Sequence, residues 1–386
     1  MSGDTDVLVI GGGVAGCAAT YHLARAGVDV HLVERRELNR EASGTNAGNL
    51  HFQLIGAAKK IQAGGDLSRL HKIAELHAQS QPVWHHLEQD LEADLGVRFG
   101  GGLMVAETEG GLQTLKLKAA IEREAGVDSQ IIDGDRVRQI EPALSDEIIG
   151  GIWCPGEGFA NTLVVGPTFA RRAIELGARV SLQTEVIGIR REGSAFRVET
   201  TKGALRAKRI VNAAGARAGL IAAMVGLPLK IAGRVLTVSV TEPRARIMTT
   251  MVQHVDRRLT LKQTPSGTFI VGGGYRGLSD ATGEQKLPIF GGITTNFAIA
   301  SRVMPALGEV RVLRSWGGLI PLTEDVILMM GEYRPVPGFY MLVADHSGFT
   351  LGPLAGRMSA DLITRGETDV DWSAFDVMNR VPAKAS

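Results

Sequence analysis

The chain has 386 residues and a formal net charge of +1 at pH 7. Its length exceeds the roughly 250–300 residues at which one hydrophobic core usually divides, so we expect two domains. A net charge this close to zero argues against nucleic acid or an anionic membrane surface as the main partner. With 44% hydrophobic and 22% charged residues, the composition is that of an ordinary globular protein.

Further patterns bear on where the chain resides. The longest nearly apolar stretch, at 218–229, is shorter than the roughly 20 residues that a membrane-spanning helix needs. The N-terminus shows no basic and then apolar leader, so we expect no secretion signal. The two cysteines, Cys17 and Cys154, form no CxxC pair, which argues against a disulfide scaffold, a zinc site or a cysteine-ligated iron–sulfur cluster. We therefore predict a cytoplasmic protein with no membrane span and no metal site.

The segment before residue 35 has the pattern strand, glycine turn, helix, strand and acid. In the turn at 11–16, Gly11 permits a tight bend, Gly13 has no Cβ to block a pyrophosphate, and Gly16 permits close helix packing. The N–H groups and positive dipole end of the helix N-terminus favour phosphates. Glu34 ends the second strand, where a carboxylate can accept hydrogen bonds from the adenosine ribose. The segment predicts a dinucleotide site; the alternative is a glycine turn in another kind of α/β protein.

Beyond this segment, helical and extended patterns alternate along the chain. Helices are expected at 66–95, 112–125, 165–176, 297–304 and 354–364, and strands at 97–106, 148–154, 179–190, 195–200, 210–214 and 339–344. Residues 229–275 are rich in alternating Val and Thr, which is typical of antiparallel strands. The α/β character returns after Trp316. We predict a discontinuous nucleotide-binding domain at 1–80, 150–226 and 318–386, and a substrate domain at 81–149 and 227–317.

Three further glycine-rich segments favour FAD over the shorter NAD as the dinucleotide. They lie at 43–49, 212–215 and 346–353. In the last one, we expect Pro353 in the first turn of the helix at 354–364, where its missing N–H costs little. The preceding N–H groups would then form an anion site suited to the negative charge of a reduced flavin. An ordinary helix cap and an NAD-binding protein remain the alternatives.

Together these motifs resemble the family of FAD-dependent amine and amino-acid oxidoreductases that includes D-amino acid oxidase, glycine oxidase and sarcosine oxidase β subunits. The resemblance covers nearly the whole chain, and the segment at 346–353 is most similar to β subunits of heteromeric opine and hydroxyproline dehydrogenases. It implies an α/β fold (α+β overall), in which a glutathione-reductase-type Rossmann FAD domain is interleaved with an antiparallel-sheet substrate domain.

The resemblance also implies which residues contact FAD. These are Gly11, Gly13, Val14, Ala15, Gly16, Glu34, Arg35, Ser43, Gly44, Asn46, Ala47, Gly48, Val186, Ala214, Gly215, Gly348, Phe349, Thr350 and Leu351. Val186 enters only through the family's strand along the adenine, and a plain core valine is the alternative. The reaction implied is hydride transfer from the carbon beside an amine nitrogen to flavin N5, which gives an imine that water hydrolyses.

One motif departs from the family pattern. Relatives that bind an amino-acid carboxylate often carry Gly-Leu-Arg-Pro, whereas this chain has isoleucine in place of arginine, at 318–321. A bidentate guanidinium–carboxylate pair is hard to replace with isoleucine. Either another cation binds the substrate, with Arg276 and Lys262 as candidates, or the substrate is not a simple amino acid.

The remaining catalytic candidates are His51 and Tyr275. His51 follows the loop expected against the flavin, and Gln53 would share its strand face. Tyr275 and Trp316 could bind a cationic amine over their rings. Structural roles are the alternative for each of these residues.

We therefore expect an FAD-dependent dehydrogenase or oxidase that acts on a secondary amine or an N-substituted amino acid. The resemblance further implies the catalytic β subunit of a heteromer, with an electron-transfer centre on a second subunit. The alternatives are a 2-hydroxy acid dehydrogenase and a flavin-binding subunit without turnover.

Overall fold

The computed structural model describes residues 4–280, 283–323 and 328–381. The strands, labelled in chain order, are β1 (Asp4–Ile10), β2 (Val30–Val33), β3 (Asn49–Leu50), β4 (Gly102–Ala106), β5 (Gln130–Asp133), β6 (Gly150–Cys154), β7 (Gly158–Phe159), β8 (Arg179–Ser181), β9 (Val186–Glu192), β10 (Ala195–Thr200), β11 (Gly203–Asn212), β12 (Ala232–Pro243), β13 (Met251–His254), β14 (Thr260–Gln263), β15 (Thr268–Gly272), β16 (Gly277–Ser279), β17 (Lys286–Pro288), β18 (Val312–Leu322), β19 (Leu328–Glu332) and β20 (Phe339–Ala344). The α-helices are α1 (Val14–Arg25), α2 (Ala42–Thr45), α3 (Ala58–Ala63), α4 (Ser68–Asp90), α5 (Glu109–Glu124), α6 (Gly134–Ile140), α7 (Thr162–Glu175), α8 (Ala218–Ala223), α9 (Phe290–Val303) and α10 (Gly348–Arg365).

The first sheet has the strand order β19-β20-β11-β1-β2-β8, with β10 and β9 attached beside β11. Its central strands β20, β11, β1, β2 and β8 run parallel. The side chains of Val7, Leu8 and Val9 are fully buried on both faces of β1, as expected for a parallel strand covered by helices. The predicted nucleotide-binding architecture is confirmed.

Helices α1 and α10 cover this sheet and pack closely against each other. A Cβ atom added at Gly352 would lie 2.5 Å from Val14 Cγ1, and one added at Gly356 would lie 2.5 Å from Ala18 Cβ. Real Cβ atoms essentially never come this close to another heavy atom, so only glycine permits the observed contact between these helices.

The second sheet has the order β18-β12-β15-β14-β13-β4-β6-β5 and is antiparallel except between β13 and β4. Its apolar core includes Leu103, Val252, Leu261 and Phe269, which pack with residues of α9 such as Val303. Strands from two separate parts of the chain thus share this sheet, which confirms the interleaved α/β fold. The residue boundaries between the two domains stay a prediction.

Two helices begin earlier than their sequence patterns predict. Helix α10 begins at Gly348, because the Ser347 carbonyl already accepts the Leu351 N–H at 2.8 Å. Pro353 therefore lies in the second turn, and its expected place in the first turn is wrong. Helix α9 begins at Phe290, seven residues before the expected start at 297. Within the described ranges, no helix is both long and apolar enough to span a membrane.

Candidate active site

A cavity of about 820 Å³ lies between the two sheets. Its first wall consists of the turn after β1, the end of β2, the α2 segment, the end of β11 and the start of α10. Its second wall consists of residues from β12, β13, β14 and the end of β18. The glycine-rich segments therefore meet at one surface, opposite the antiparallel sheet.

The turn after β1 and the acid at the end of β2 are held together by backbone hydrogen bonds. The Gly12 N–H donates to Glu34 Oε2 at 2.7 Å, and the Arg36 N–H donates to Glu34 Oε1 at 2.8 Å. Gly11 has a φ of +114°, and a Cβ there would lie 2.5 Å from the Ala213 carbonyl oxygen. The Glu34 carboxylate lines the cavity in a fixed orientation, and each oxygen keeps a lone pair for a ligand hydroxyl.

The N-terminus of α1 faces the cavity with free N–H groups. The Val14 N–H donates to Ser43 Oγ at 3.0 Å, and no acceptor within the described ranges takes the N–H of Ala15, which also lines the cavity. A Cβ at Gly13 would lie 3.0 Å from Ser43 Oγ, in the space in front of these donors. This group of donors fits a pyrophosphate, because unpaired N–H groups and the helix dipole both favour an anion.

The N-terminus of α10 forms a second group of donors on the same wall. The N–H groups of Phe349 and Thr350 have no acceptor in the described part of the chain, and both residues line the cavity. Ser347 Oγ also faces the cavity and is buried without a hydrogen-bond partner there. A buried hydroxyl without a partner is costly, so this atom is suited to a ligand. The residues present therefore fit a flavin dinucleotide at both ends.

Most residues predicted to contact FAD line this cavity. They are Gly11, Gly13, Val14, Ala15, Glu34, Arg35, Ser43, Asn46, Ala47, Val186, Ala214, Gly215, Gly348, Phe349 and Thr350. The other four lie behind the wall. Three of them are glycines that pack against backbone carbonyls: a Cβ added at Gly16, Gly44 or Gly48 would lie 2.1 Å from the Gly11 oxygen, 2.0 Å from the Asn39 oxygen or 2.4 Å from the Ala160 oxygen, respectively. The fourth, Leu351, is fully buried. Sequence reasoning missed Gly12, Ala213, Ser347 and Arg217, although each adjoins a motif that it used.

His51 reaches the cavity as expected, but as a neutral group. Its Nδ1 lies 3.0 Å from Gln253 Nε2, which donates to it, so the proton of the neutral ring is on Nε2. Burial lowers the pKa of His51 to about 3, and the neighbouring charges of His77, Lys262 and Lys118 contribute to this lowering. His51 can therefore donate a hydrogen bond to a ligand, but it does not act as a base near neutral pH.

Gln53 does not share this role, because it belongs to a buried charged network. Its Nε2 donates to Glu157 Oε2 at 2.9 Å, and its Oε1 accepts from Lys118 Nζ at 3.1 Å. Lys118 also pairs with Glu122 at 2.7 Å and lines the cavity. Burial raises the pKa of Glu157 to about 7. This network, which sequence reasoning missed, holds the segment after His51 in place, because the N–H groups of residues 52–54 donate to Glu157 and Glu122.

The other catalytic candidates lie away from the cavity wall. Lys262 Nζ is buried 4.6 Å above the ring of Phe159, behind the Gly48 turn. Tyr275 is half-buried and Arg276 is exposed, and neither lines the cavity. Trp316 Nε1 donates to the Thr45 carbonyl at 2.7 Å and so supports the α2 segment from behind.

Lys262 is expected to make stability depend on pH. Burial lowers its pKa from 10.5 to about 7, so the folded chain releases this proton while the unfolded chain still holds it. Between about pH 7 and pH 10.5, the free energy of unfolding therefore rises with pH, and this gain is lost as the pH falls toward 7. From about pH 7 to about pH 8.5, the free energy of unfolding should rise by about 1–2 kcal/mol relative to Lys262→Met. Urea unfolding of both proteins measures this difference, and equal pH slopes would contradict it.

A model of the DAO family, described as FAD dependent oxidoreductase, matches residues 6–362. The chain belongs to this family. It is 27% identical over 388 residues to glycine oxidase of Geobacillus kaustophilus (strain HTA426), with 97% of each chain covered. It is 28% identical over 382 residues to the β subunit of sarcosine oxidase from Rhizobium meliloti (strain 1021), covering 96% of this chain and 87% of that one. An opine oxidase subunit of Rhizobium meliloti is 26% identical over 392 residues, with 96% of both chains covered.

Solved structures agree with this assignment to the DAO family. L-proline dehydrogenase from P. horikoshii superposes with a TM-score of 0.87 at 25% identity, covering 98% of this chain and 99% of that one. The glycine oxidase from Geobacillus kaustophilus superposes with a TM-score of 0.83 at 25% identity, covering 97% and 98%. The family resemblance, the fold and FAD as the cofactor are confirmed, and the protein is an FAD-dependent oxidoreductase.

Proposed function

We propose that this DAO-family chain oxidises the C–N bond of a secondary amine or an N-substituted amino acid, giving an imine that water hydrolyses. The observation that carries the proposal is the continuous cavity, which joins the FAD-binding segments to a wall of the antiparallel sheet beside His51. The relatives named for glycine, sarcosine and opine oxidation support the same substrate class. FAD, when bound, supplies the acceptor for the hydride.

The chain's own residues favour an unprotonated amine in this cavity. An amine needs its free lone pair while the neighbouring carbon loses hydride, and burial in a low dielectric favours the neutral form. His51 adds no positive charge near neutral pH, because burial holds its pKa at about 3. Its Nε2–H can donate a hydrogen bond to the substrate, while Gln253 fixes the ring from the other side. The protein's role is thus to orient the substrate and to exclude water.

We further infer that the chain is the catalytic β subunit of a heteromer. Two relatives support this assignment, because one is named as the β subunit of sarcosine oxidase and the other as a subunit of opine oxidase. Cys17 and Cys154 are buried free thiols, so an electron-transfer centre with cysteine ligands would belong to a second subunit. Free thiols also suit a reducing cytoplasm, where we place the protein.

Anaerobic reduction of the FAD-loaded chain tests the proposed reaction. When they are mixed with the protein, N-methyl amino acids should bleach the flavin absorbance, while 2-hydroxy acids of equal length should leave it unchanged. Bleaching by the hydroxy acids alone would replace the proposal with 2-hydroxy acid oxidation. If dithionite bleaches the flavin and neither substrate class does, the chain is a flavin-binding subunit without turnover of its own.

A further inference from the structure

We propose that Arg234 binds the carboxylate of the substrate, in place of the arginine that is absent at position 320. This inference rests on the proposed function, because it names the group by which an N-substituted amino acid is held beside the flavin. It differs from our expectation from sequence, which named Arg276 and Lys262 as the candidate cations.

The strand register places Arg234 beside the position of the missing arginine. Strands β12 and β18 are antiparallel, and Arg234 lies directly opposite Ile320. Residues that face each other in such a pair project from the same side of the sheet, with Cβ atoms about 4.5–5.5 Å apart. Both residues line the cavity. A guanidinium on β12 therefore reaches the region that an arginine on β18 would reach.

This side of the sheet faces the cofactor segments. A Cβ at Gly318, two residues before Ile320, would lie 2.3 Å from Thr45 Oγ1. Trp316, two residues earlier again, donates its indole N–H to the Thr45 carbonyl. Because side chains alternate along a strand, residues 316, 318 and 320 project to the same side as Thr45. Arg234 projects to the same side of the sheet, because it lies directly opposite Ile320 in the strand pair.

The charge of Arg234 is unpaired in the described part of the protein. The other buried or half-buried lysines and arginines that line the cavity all pair with carboxylates: Arg35, Arg36 and Arg217 with Glu284, Arg257 with Glu107, and Lys118 with Glu122. Within the described ranges, the half-buried Arg234 side chain has no hydrogen bond and no ion pair. Its five N–H donors are therefore available for a planar, bidentate partner, which is what a carboxylate offers.

Ligand binding can test Arg234 without any turnover. Benzoate and its neutral analogue benzamide are titrated into the oxidised, FAD-loaded protein, and the perturbation of the flavin spectrum gives each dissociation constant. Losing a charge-assisted carboxylate contact costs about 1.5–3 kcal/mol, so Arg234→Met should weaken benzoate binding about 10–100-fold. Benzamide binding should stay unchanged. Arg246→Met is the matched control, because Arg246 is an exposed arginine that lies outside the cavity lining.

A second variant tests the relation between the two strands. Ile320→Arg in the Arg234→Met background should restore benzoate binding, because it returns a guanidinium to the same side of the neighbouring strand. Unchanged benzoate affinity in Arg234→Met, an equal loss for benzoate and benzamide, or a loss of FAD would each overturn the inference. A loss in Arg276→Met with none in Arg234→Met would also overturn it. Failure of the proposed function is separate, since it appears as an unbleached flavin in a protein that still binds benzoate.

Discussion

The Gly13→Val variant should bind FAD about 100-fold more weakly than the wild type, while the chain still folds. Gly13 has extended backbone angles, with φ at −79° and ψ at 176°, which valine also adopts. The Cβ would meet only the Ser43 side chain, 3.0 Å from its Oγ, so this hydroxyl must shift slightly while no backbone atom is in the way. The branched side chain instead fills the space before the free N–H groups of α1, and overpacking of this kind costs about 1–3 kcal/mol.

Titration of the apoprotein with FAD, followed by flavin fluorescence, measures this loss. Circular dichroism should show the same secondary structure in both proteins. Gly110→Val is the matched control, because Gly110 lies in the first turn of α5 and a Cβ there meets nothing within 4 Å. Wild-type FAD affinity in Gly13→Val would contradict the assignment of the pyrophosphate to this turn.

Lys118→Met should lower the free energy of unfolding by about 3–5 kcal/mol, because it leaves a buried carboxylate without its cation. Lys118 is 1% exposed and Glu122 is fully buried, and their ion pair measures 2.7 Å. Glu122 also accepts the Leu54 N–H at 2.5 Å and the Ser129 hydroxyl at 2.7 Å. These two bonds do not neutralise the charge. Urea unfolding of the FAD-loaded protein measures the change.

A double variant distinguishes the unpaired charge from lost packing. In Lys118→Met/Glu122→Gln, the new amide oxygen can accept the Leu54 N–H and the amide N–H can donate to Ser129 Oγ, so much of the stability should return. Lys116→Met is the control on the same helix, because Lys116 is exposed and should change stability by less than about 0.5 kcal/mol. If the double variant is no more stable than Lys118→Met, the loss of unfolding free energy comes from packing alone.

The cofactor half of the site could be predicted because its signals are local in sequence. Gly11, Gly13 and Glu34 fall within one strand–turn–helix–strand unit, where the chemistry of each position follows from its spacing. The apolar runs at β1 and β11 likewise indicate parallel strands buried on both faces. The start of α10 lies six residues before its predicted position, because proline favours the first turn of a helix and this helix accommodates Pro353 in the second.

The substrate half depends on contacts between distant parts of the chain. Arg234 gains its position from the register between β12 and β18, which no local pattern encodes. Lys118 and Glu122 are spaced for one helix face, but nothing in the sequence indicates that this face is buried. The alternating residues at 229–275 predict antiparallel strands in this region. Strand β15 ends at Gly272, before Tyr275, and Gly273 and Gly274 follow it with φ of +145° and +78°.

The contact between α1 and α10 has a consequence for the whole cofactor site. The N-termini of both helices face the same cavity, and the helices touch where Gly352 and Gly356 carry no side chain. The distance between the two groups of N–H donors thus depends on this helix contact, which includes Val14 of the cavity wall. Larger residues at Gly352 and Gly356 would push the two helices apart and so change the spacing of the N–H donors that face the cavity.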